Sequence, residues 1–199
     1  MYSEKEKLAR LLSYASKNSE EKAETLIEKY KNLPQIFNTA IYSLGETLDD
    51  DMSTALYIKL VSALVSRRNT DKFKFQRKHT EEEIREYLVS LFFGASVEIA
   101  YMMSLDGQGK TISVDKINEG VINSSSVMPR KMIEIAKARG AKSVVLAHNH
   151  PDGFAEPSKE DIESTRFIES ILYSAKLPLL AHYVVSGVEV QRIKTKLET

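Results

Sequence analysis

The sequence predicts an α+β protein in which a small all-α domain precedes a mixed α/β domain. Two observations carry this. Through the first third of the 199-residue chain, apolar residues recur at helical spacing, from Leu8, Leu11, Leu12 and Ala15 onward. Beyond residue 96 the period becomes two, with Val97, Ile99, Tyr101, Met103 and Leu105 alternating with their neighbours. A composition of 42% hydrophobic and 28% charged residues is that of a packed globular chain.

Taken in order, Leu8 to Ala15 mark a first helix. Ala23, Leu26, Ile27 and Tyr30 mark a second, with Asn18 as its N-cap three residues before Glu21. Asn32-Leu33-Pro34 reads as a turn, after which Ile36, Phe37, Ala40, Ile41 and Leu44 continue the helical pattern. A further helix covers about residues 53–67, with Leu56, Ile58, Leu60, Leu64 and Val65 among its apolar positions. The polar, basic stretch that follows reads as a linker. This gives a helical domain over 1–70, a linker over 71–79 and a second domain over 80–199. Thr80 with Glu83 forms a capping box that opens a helix to about residue 93. The strand to Leu105 ends at the turn 106–109, and 110–116 supplies its hairpin partner. Pro129 suits the first turn of a helix that stops at Gly140. Residues 143–147 read as a central strand, 158–173 as a helix, and 179–186 and 188–193 as two more strands.

Charge and composition exclude some function classes. Lys+Arg and Asp+Glu both total 28, so bulk charge drives binding to neither nucleic acid nor a membrane surface. With no cysteine there is no disulfide, no thiolate ligand and no cysteine nucleophile, and any metal must sit on nitrogen and oxygen. The most apolar stretch, 87–103, is broken by Ser90, Gly94, Ser96 and Glu98. It reads as helix followed by strand rather than as a membrane span. The amino terminus lacks the apolar core of a signal peptide, so a soluble, cytoplasmic protein is expected.

The informative segment is Ala147-His148-Asn149-His150-Pro151, followed by Ser158-Lys159-Glu160-Asp161. Residues two apart on a strand share a face, so His148 and His150 present two imidazoles side by side at a strand end. Asp161 lies in the first turn of the next helix. Two imidazoles and a carboxylate suit one zinc ion, with a fourth position left for water. Ser158-x-x-Asp161 is equally an ordinary helix start, with Ser158 as cap and Asp161 favoured by the helix dipole.

The longer pattern 147–165, ending at Thr165, resembles the RadC family within the JAB/MPN superfamily of JAMM-motif metalloproteases. Met128-Pro129-Arg130 supports that resemblance. It implies a JAB/MPN domain with cytidine-deaminase-like layering, zinc ligands His148, His150 and Asp161, and Glu98 as general base. It further implies Ser158 as stabiliser of the oxyanion and a protein or peptide amide as substrate. Asn149, Phe154 and Arg130 are candidate substrate contacts. For Arg130, pairing with a carboxylate is the preferred reading, and Glu134 is a weaker rival to Glu98. The loop departs from the family pattern at Asp152, Phe154 and Ala155, and Lys131 stands where the family carries Glu. His182 reads as core-facing and hydrogen-bonded rather than as a fourth ligand.

The family resemblance also makes the amino-terminal helices a helix-hairpin-helix-like module, which would bind DNA through a glycine-rich hairpin. Here the corresponding stretch carries Asp49-Asp50-Asp51, which would repel phosphate, so the module reads as degenerate. Lys59, Arg67 and Arg68 are the remaining basic candidates, though a solvated helix end is the simpler reading of them. A DNA repair or recombination accessory protein and a non-catalytic interaction module are the rival functions, and the sequence leaves the oligomeric state open.

Overall fold

Ser3 opens the chain's first helix with a reciprocal cap: its hydroxyl accepts from Glu6 N–H, and the Glu6 carboxylate accepts from Ser3 N–H. In the computed structural model, residues 2–71, 73–120, 127–151 and 154–194 are described, with side chains from Pro129 onward in the third segment. Five helices come first: α1 (Glu4–Leu12), α2 (Ser19–Tyr30), α3 (Leu33–Asn38), α4 (Ile41–Thr47) and α5 (Met52–Thr70). They enclose a core of Leu8, Leu12, Leu26, Ile36, Leu44 and Ile58.

Two local expectations are corrected. Asn18 precedes α2, but its backbone (φ −99°, ψ 44°) is not extended and its side chain makes no capping bond. An N-cap side chain reaches the first-turn N–H groups from extended backbone, so the cap expected here is not formed. Asn32 instead is a true cap, its Oδ1 accepting from Gln35 N–H, and Pro34 sits in the first turn of α3. The turn read at Asn32-Leu33-Pro34 is therefore a helix start, and extended backbone at Thr39 and Ala40 breaks the continuing pattern into α3 and α4.

The acidic triplet has a structural use. Asp49 and Asp50 take left-handed backbone (φ 53° and 64°), which aspartate tolerates better than most residues. Asp51 caps α5, accepting from Thr54 N–H and Thr54 Oγ1 and pairing with Lys22.

Then come α6 (Glu81–Phe92), opened by the Thr80–Glu83 capping box, and a five-stranded sheet. Its strands are β1 (Ile99–Leu105), β2 (Thr111–Glu119), β3 (Ser143–Asn149), β4 (Leu179–Ser186) and β5 (Glu189–Ile193). The spatial order is β2-β1-β3-β4-β5, with β3 central and only β3 and β4 parallel among the described strands. The α8 helix (Lys159–Ser174) makes the crossover between those two. One face of the sheet packs Ala100, Met102, Val144 and Leu146 against Met132 and Ala136 of α7 (Val127–Arg139) and Ile168 and Leu172 of α8. The other face packs Met103, Val145, Ala147 and Tyr183 against Tyr87, Leu88 and Phe92 of α6.

A half-buried lysine ties the helical region to the segment before β1. Lys59 Nζ donates to the carbonyls of Phe37 (2.8 Å), Thr39 (3.0 Å) and Gly94 (2.9 Å), and burial lowers its pKa. Gly94 N–H in turn donates to Asn38 Oδ1 at 2.8 Å. Gly94 must be glycine: its φ is +82°, and a Cβ there would lie 2.5 Å from Ser62 Oγ. The sequence offered Lys59 as a cation for phosphate, but its ammonium is already occupied by carbonyls. No helix among the described residues is long and apolar enough to cross a membrane.

Candidate metal centre

The carboxyl end of β3 and the first turn of α8 meet where a βαβ unit ordinarily places its ligand. His148 and His150 leave β3 on one face, and Asp161 faces them from α8. His148 Nε2 lies 3.1 Å from His150 Nε2 and 3.1 Å from Asp161 Oδ1, and His150 Nε2 lies 3.3 Å from Asp161 Oδ2. A tetrahedral ion with bonds of ~2.0–2.1 Å holds its ligand atoms ~3.3–3.4 Å apart, so the triangle is of the right size. His148 is buried, while the side chains of His150 and Asp161 remain 18% and 15% exposed, which leaves the site reachable from solvent. Among the described residues, these three form a cluster that could hold a metal ion.

The hydrogen bonds around the cluster assign the protons. His150 Nδ1 lies 2.9 Å from the Phe154 carbonyl, which can only accept, so Nδ1 carries the hydrogen and Nε2 faces the site. For His148 the assignment runs through a chain of three groups. Thr165 Oγ1 donates its single proton to the Asp161 carbonyl at 2.6 Å. It must therefore accept from His182 Nδ1, also at 2.6 Å. His182 is then left with a lone pair on Nε2, which accepts from His148 Nδ1 at 2.9 Å. His148 Nε2 is thus the unprotonated nitrogen. The chain needs a neutral His182, and its full burial drives its pKa well below the ordinary value.

Two imidazole lone pairs and a carboxylate therefore converge, and such a site calls for a cation. One candidate is a proton on His150, whose pKa is raised chiefly by its hydrogen bond to Asp161. The other is a metal ion, which the donor set fits. Burial alone would raise the pKa of Asp161, but bonds from the facing His148 and His150 when they carry a proton on Nε2, and from Ser158, outweigh it and lower the carboxyl pKa far below its usual range. The two sequence readings of Ser158-x-x-Asp161 are both realised. Ser158 N–H and Oγ donate to Asp161 Oδ2 at 2.8 and 2.7 Å, and Asp161 N–H donates to Ser158 Oγ at 3.0 Å. The capping box fixes the carboxylate that faces the histidines.

The RadC-like JAB domain family matches residues 78–195, which contain this whole cluster. A UPF0758 protein of Pseudoalteromonas translucida is 30% identical over 170 residues, covering 84% of this chain and 75% of that protein. A UPF0758 protein of a Polaromonas species is 30% identical over 192 residues, covering 94% and 85%. The chain belongs to the RadC-like JAB domain family.

In this RadC-like JAB domain, Glu98 stands immediately before β1, half-buried, and near enough for its charge to raise the pKa of His150. Its backbone is pinned from both sides. Asn149 Oδ1 accepts from Ile99 N–H at 2.8 Å, Asn149 Nδ2 donates to the Val97 carbonyl at 3.1 Å, and Gly120 N–H donates to the Glu98 carbonyl at 2.8 Å. Asn149, named from sequence as a candidate substrate contact, is a buried clamp on the segment that carries Glu98, with both ends of its amide bonded to backbone. Phe154 is 81% exposed beside the site. Arg130 pairs with Glu134 at 3.1 Å on the surface of α7, as the carboxylate-pairing reading expected, and that pairing also accounts for Glu134. Asp152 and Gly153 lie outside the described residues. Sequence reasoning gave Thr165 no role. The available signal was its spacing, four residues after Asp161 on the same helix face.

Proposed function

We propose that the chain is a zinc-dependent peptidase or isopeptidase that hydrolyses an amide bond. The observation that carries the reading is the converging triangle of His148 Nε2, His150 Nε2 and Asp161, with both imidazole tautomers fixed to aim lone pairs into it. Three protein ligands of this kind leave a fourth position, as a catalytic rather than structural zinc site requires. A zinc ion bound there would supply Lewis-acid activation of a water and of the substrate carbonyl.

The chain's own groups account for the proton traffic. Glu98 takes a proton from the attacking water as the new C–O bond forms. It then passes that proton to the amide nitrogen as the C–N bond breaks. Ser158 Oγ–H turns from Asp161 to the carbonyl oxygen as negative charge builds there. Its present bond to Asp161 Oδ2 shows that the hydroxyl is directed at the cluster. A cleft of about 150 Å³, lined by Pro34, Gln35 and Asn38 on one side and Pro151, Phe154 and Val188 on the other, adjoins His150 and offers an extended substrate segment a bed. Phe154 is its most prominent apolar side chain and a candidate for substrate contact.

The test combines metal analysis with a fluorogenic peptide-library screen of the purified protein. The wild type is expected to hold about one zinc per chain, from its three-ligand geometry, and His148→Ala to lose it. Glu98→Gln is expected to keep the zinc and lose cleavage. A protein that takes up no zinc, or cleavage indifferent to Glu98→Gln, refutes the proposal.

A further inference from the structure

The α5 helix is apolar on two opposite faces, and the fold covers only one of them. Its inner face buries Ala55, Ile58 and Ser62. The outer face exposes Met52 (38%), Leu56 (49%), Leu60 (55%) and Leu64 (68%), spaced four residues apart along one side. Sequence patterning assigned these leucines to the helix's apolar positions without separating the two faces. A helix that is apolar all round is ordinarily covered all round, so the outer face needs an occupant.

The exposed positions describe that occupant. Ser53, Leu56, Leu60, Ala63 and Arg67 are all exposed and repeat at intervals of three and four, the seam of two helices crossing at a shallow angle. Ser53 and Ala63 are small, which lets a second helix approach closely. The ends of the seam carry opposite charge. Asp49 and Asp50, just before α5, are exposed and form no ion pair among the described residues. At the other end Arg68 is exposed, and Arg67 has only a loose, exposed pairing with Asp71 at 4.0 Å. An acidic start, a leucine centre and a basic finish complement the same sequence run in the reverse direction.

We propose that α5 pairs antiparallel with α5 of a second copy of the chain, about a two-fold axis at Leu60. Leu60 then meets Leu60, Leu56 meets Leu64, and the Asp49–Asp50 turn faces Arg67 and Arg68 of the second copy. The antiparallel arrangement also sets each helix's positive end beside the other's negative end. The stripe exposes on the order of 400 Å² of apolar surface per chain, the size that marks interaction sites on soluble proteins. A contact this small, at the low end for specific interfaces, gives a dimer dissociating on the order of micromolar. The pairing is independent of the metal centre.

Sedimentation equilibrium of the full chain tests this. The wild type is expected at twice the 22.5 kDa chain mass at high concentration, dissociating on dilution. Leu60→Glu is expected to weaken association at least 100-fold. Reversing Arg67 and Arg68 to Glu is expected to weaken it about tenfold, and adding Asp49→Arg and Asp50→Arg to restore it. Because the chain has no cysteine, a short bismaleimide gives a second readout. Leu60→Cys is expected to cross-link rapidly, whereas Tyr14→Cys, at a residue 85% exposed in the turn after α1, is expected to pair but not to cross-link. A wild type that stays monomeric, a dimer that survives Leu60→Glu, or equal cross-linking at 60 and 14 overturns the proposal.

Discussion

Replacing His182 by leucine isolates the hydrogen-bond chain behind the candidate metal centre without touching a candidate ligand. His182 is buried, and its Nε2 is the acceptor that keeps the proton of His148 on Nδ1. Leucine fills the space but leaves that N–H unpaired. A buried polar group without a partner costs about 1–3 kcal/mol. The imidazole can escape the cost by moving its proton to Nε2, but it then gives up the lone pair that binds metal. At ~1.4 kcal/mol per decade, zinc affinity is therefore expected to fall roughly 10- to 100-fold, in line with other groups that orient metal ligands. The assay is zinc competition against a chromogenic chelator at neutral pH, with circular dichroism to confirm that the variant is folded. His182→Gln is the informative companion: its amide oxygen can still accept from His148 Nδ1 and its NH2 can still donate to Thr165, so most of the affinity is expected to return. If folded His182→Leu binds zinc as tightly as wild type, or if the leucine and glutamine variants lose equally, the tautomer argument fails.

Asn149→Leu removes both bonds that bracket Glu98 and should lower kcat for any identified substrate at least tenfold, because small displacements of a catalytic group are costly, while bound zinc is unchanged. Lys59→Met leaves three carbonyls without their donor and is expected to destabilise the protein by about 2–3 kcal/mol, read as a lower urea midpoint. Tyr87 supplies a pH prediction: burial, aided by Tyr101, pushes its pKa up to about 12, against ~10 in the unfolded chain. The native state then holds its phenol proton more tightly, so this stabilisation is complete below pH ~10 and drains away by pH ~12, on the order of 2–3 kcal/mol in all. Urea titrations across that range should show the decline, and Tyr87→Phe should flatten it.

The sheet and its flanking helices were legible because each carried its own local signal. Val97 to Leu105 alternate, Thr80 and Glu83 cap each other, and 143–147 form an unbroken apolar run, and these became β1, the start of α6 and the central β3. The clustering of the candidate ligands was legible from the two-residue spacing of His148 and His150 and the placement of Asp161 at a helix start. What surrounds it was not. Nothing in the sequence near Asn149 says that its amide turns back onto residues fifty positions earlier, since that pairing exists only once β1 and β3 lie side by side. The Thr165–His182–His148 chain depends in the same way on α8 packing across β4. In the helical region, periodicity located α5 but could not separate its covered face from its exposed one, because both are apolar.

Lys59 shows why charge alone misleads in that helical region. From sequence it is one of three remaining basic candidates for phosphate, with a solvated helix end as the simpler reading. In the fold its ammonium is partly desolvated and surrounded by the carbonyls of Phe37 and Thr39, at the end of α3, and of Gly94, in the segment after α6. A charge so placed is already fully used, and drawing it out to a phosphate would strand those carbonyls in a buried site. Its position instead anchors α3 to the segment that leads into Glu98. Pro34 at the start of that same α3 lies 3.4 Å from where a Cβ on Gly187 would be, beside the cleft next to His150. The α3 helix thus lines one side of the cleft that adjoins His150, and loosening Lys59 should be felt there as well as in global stability.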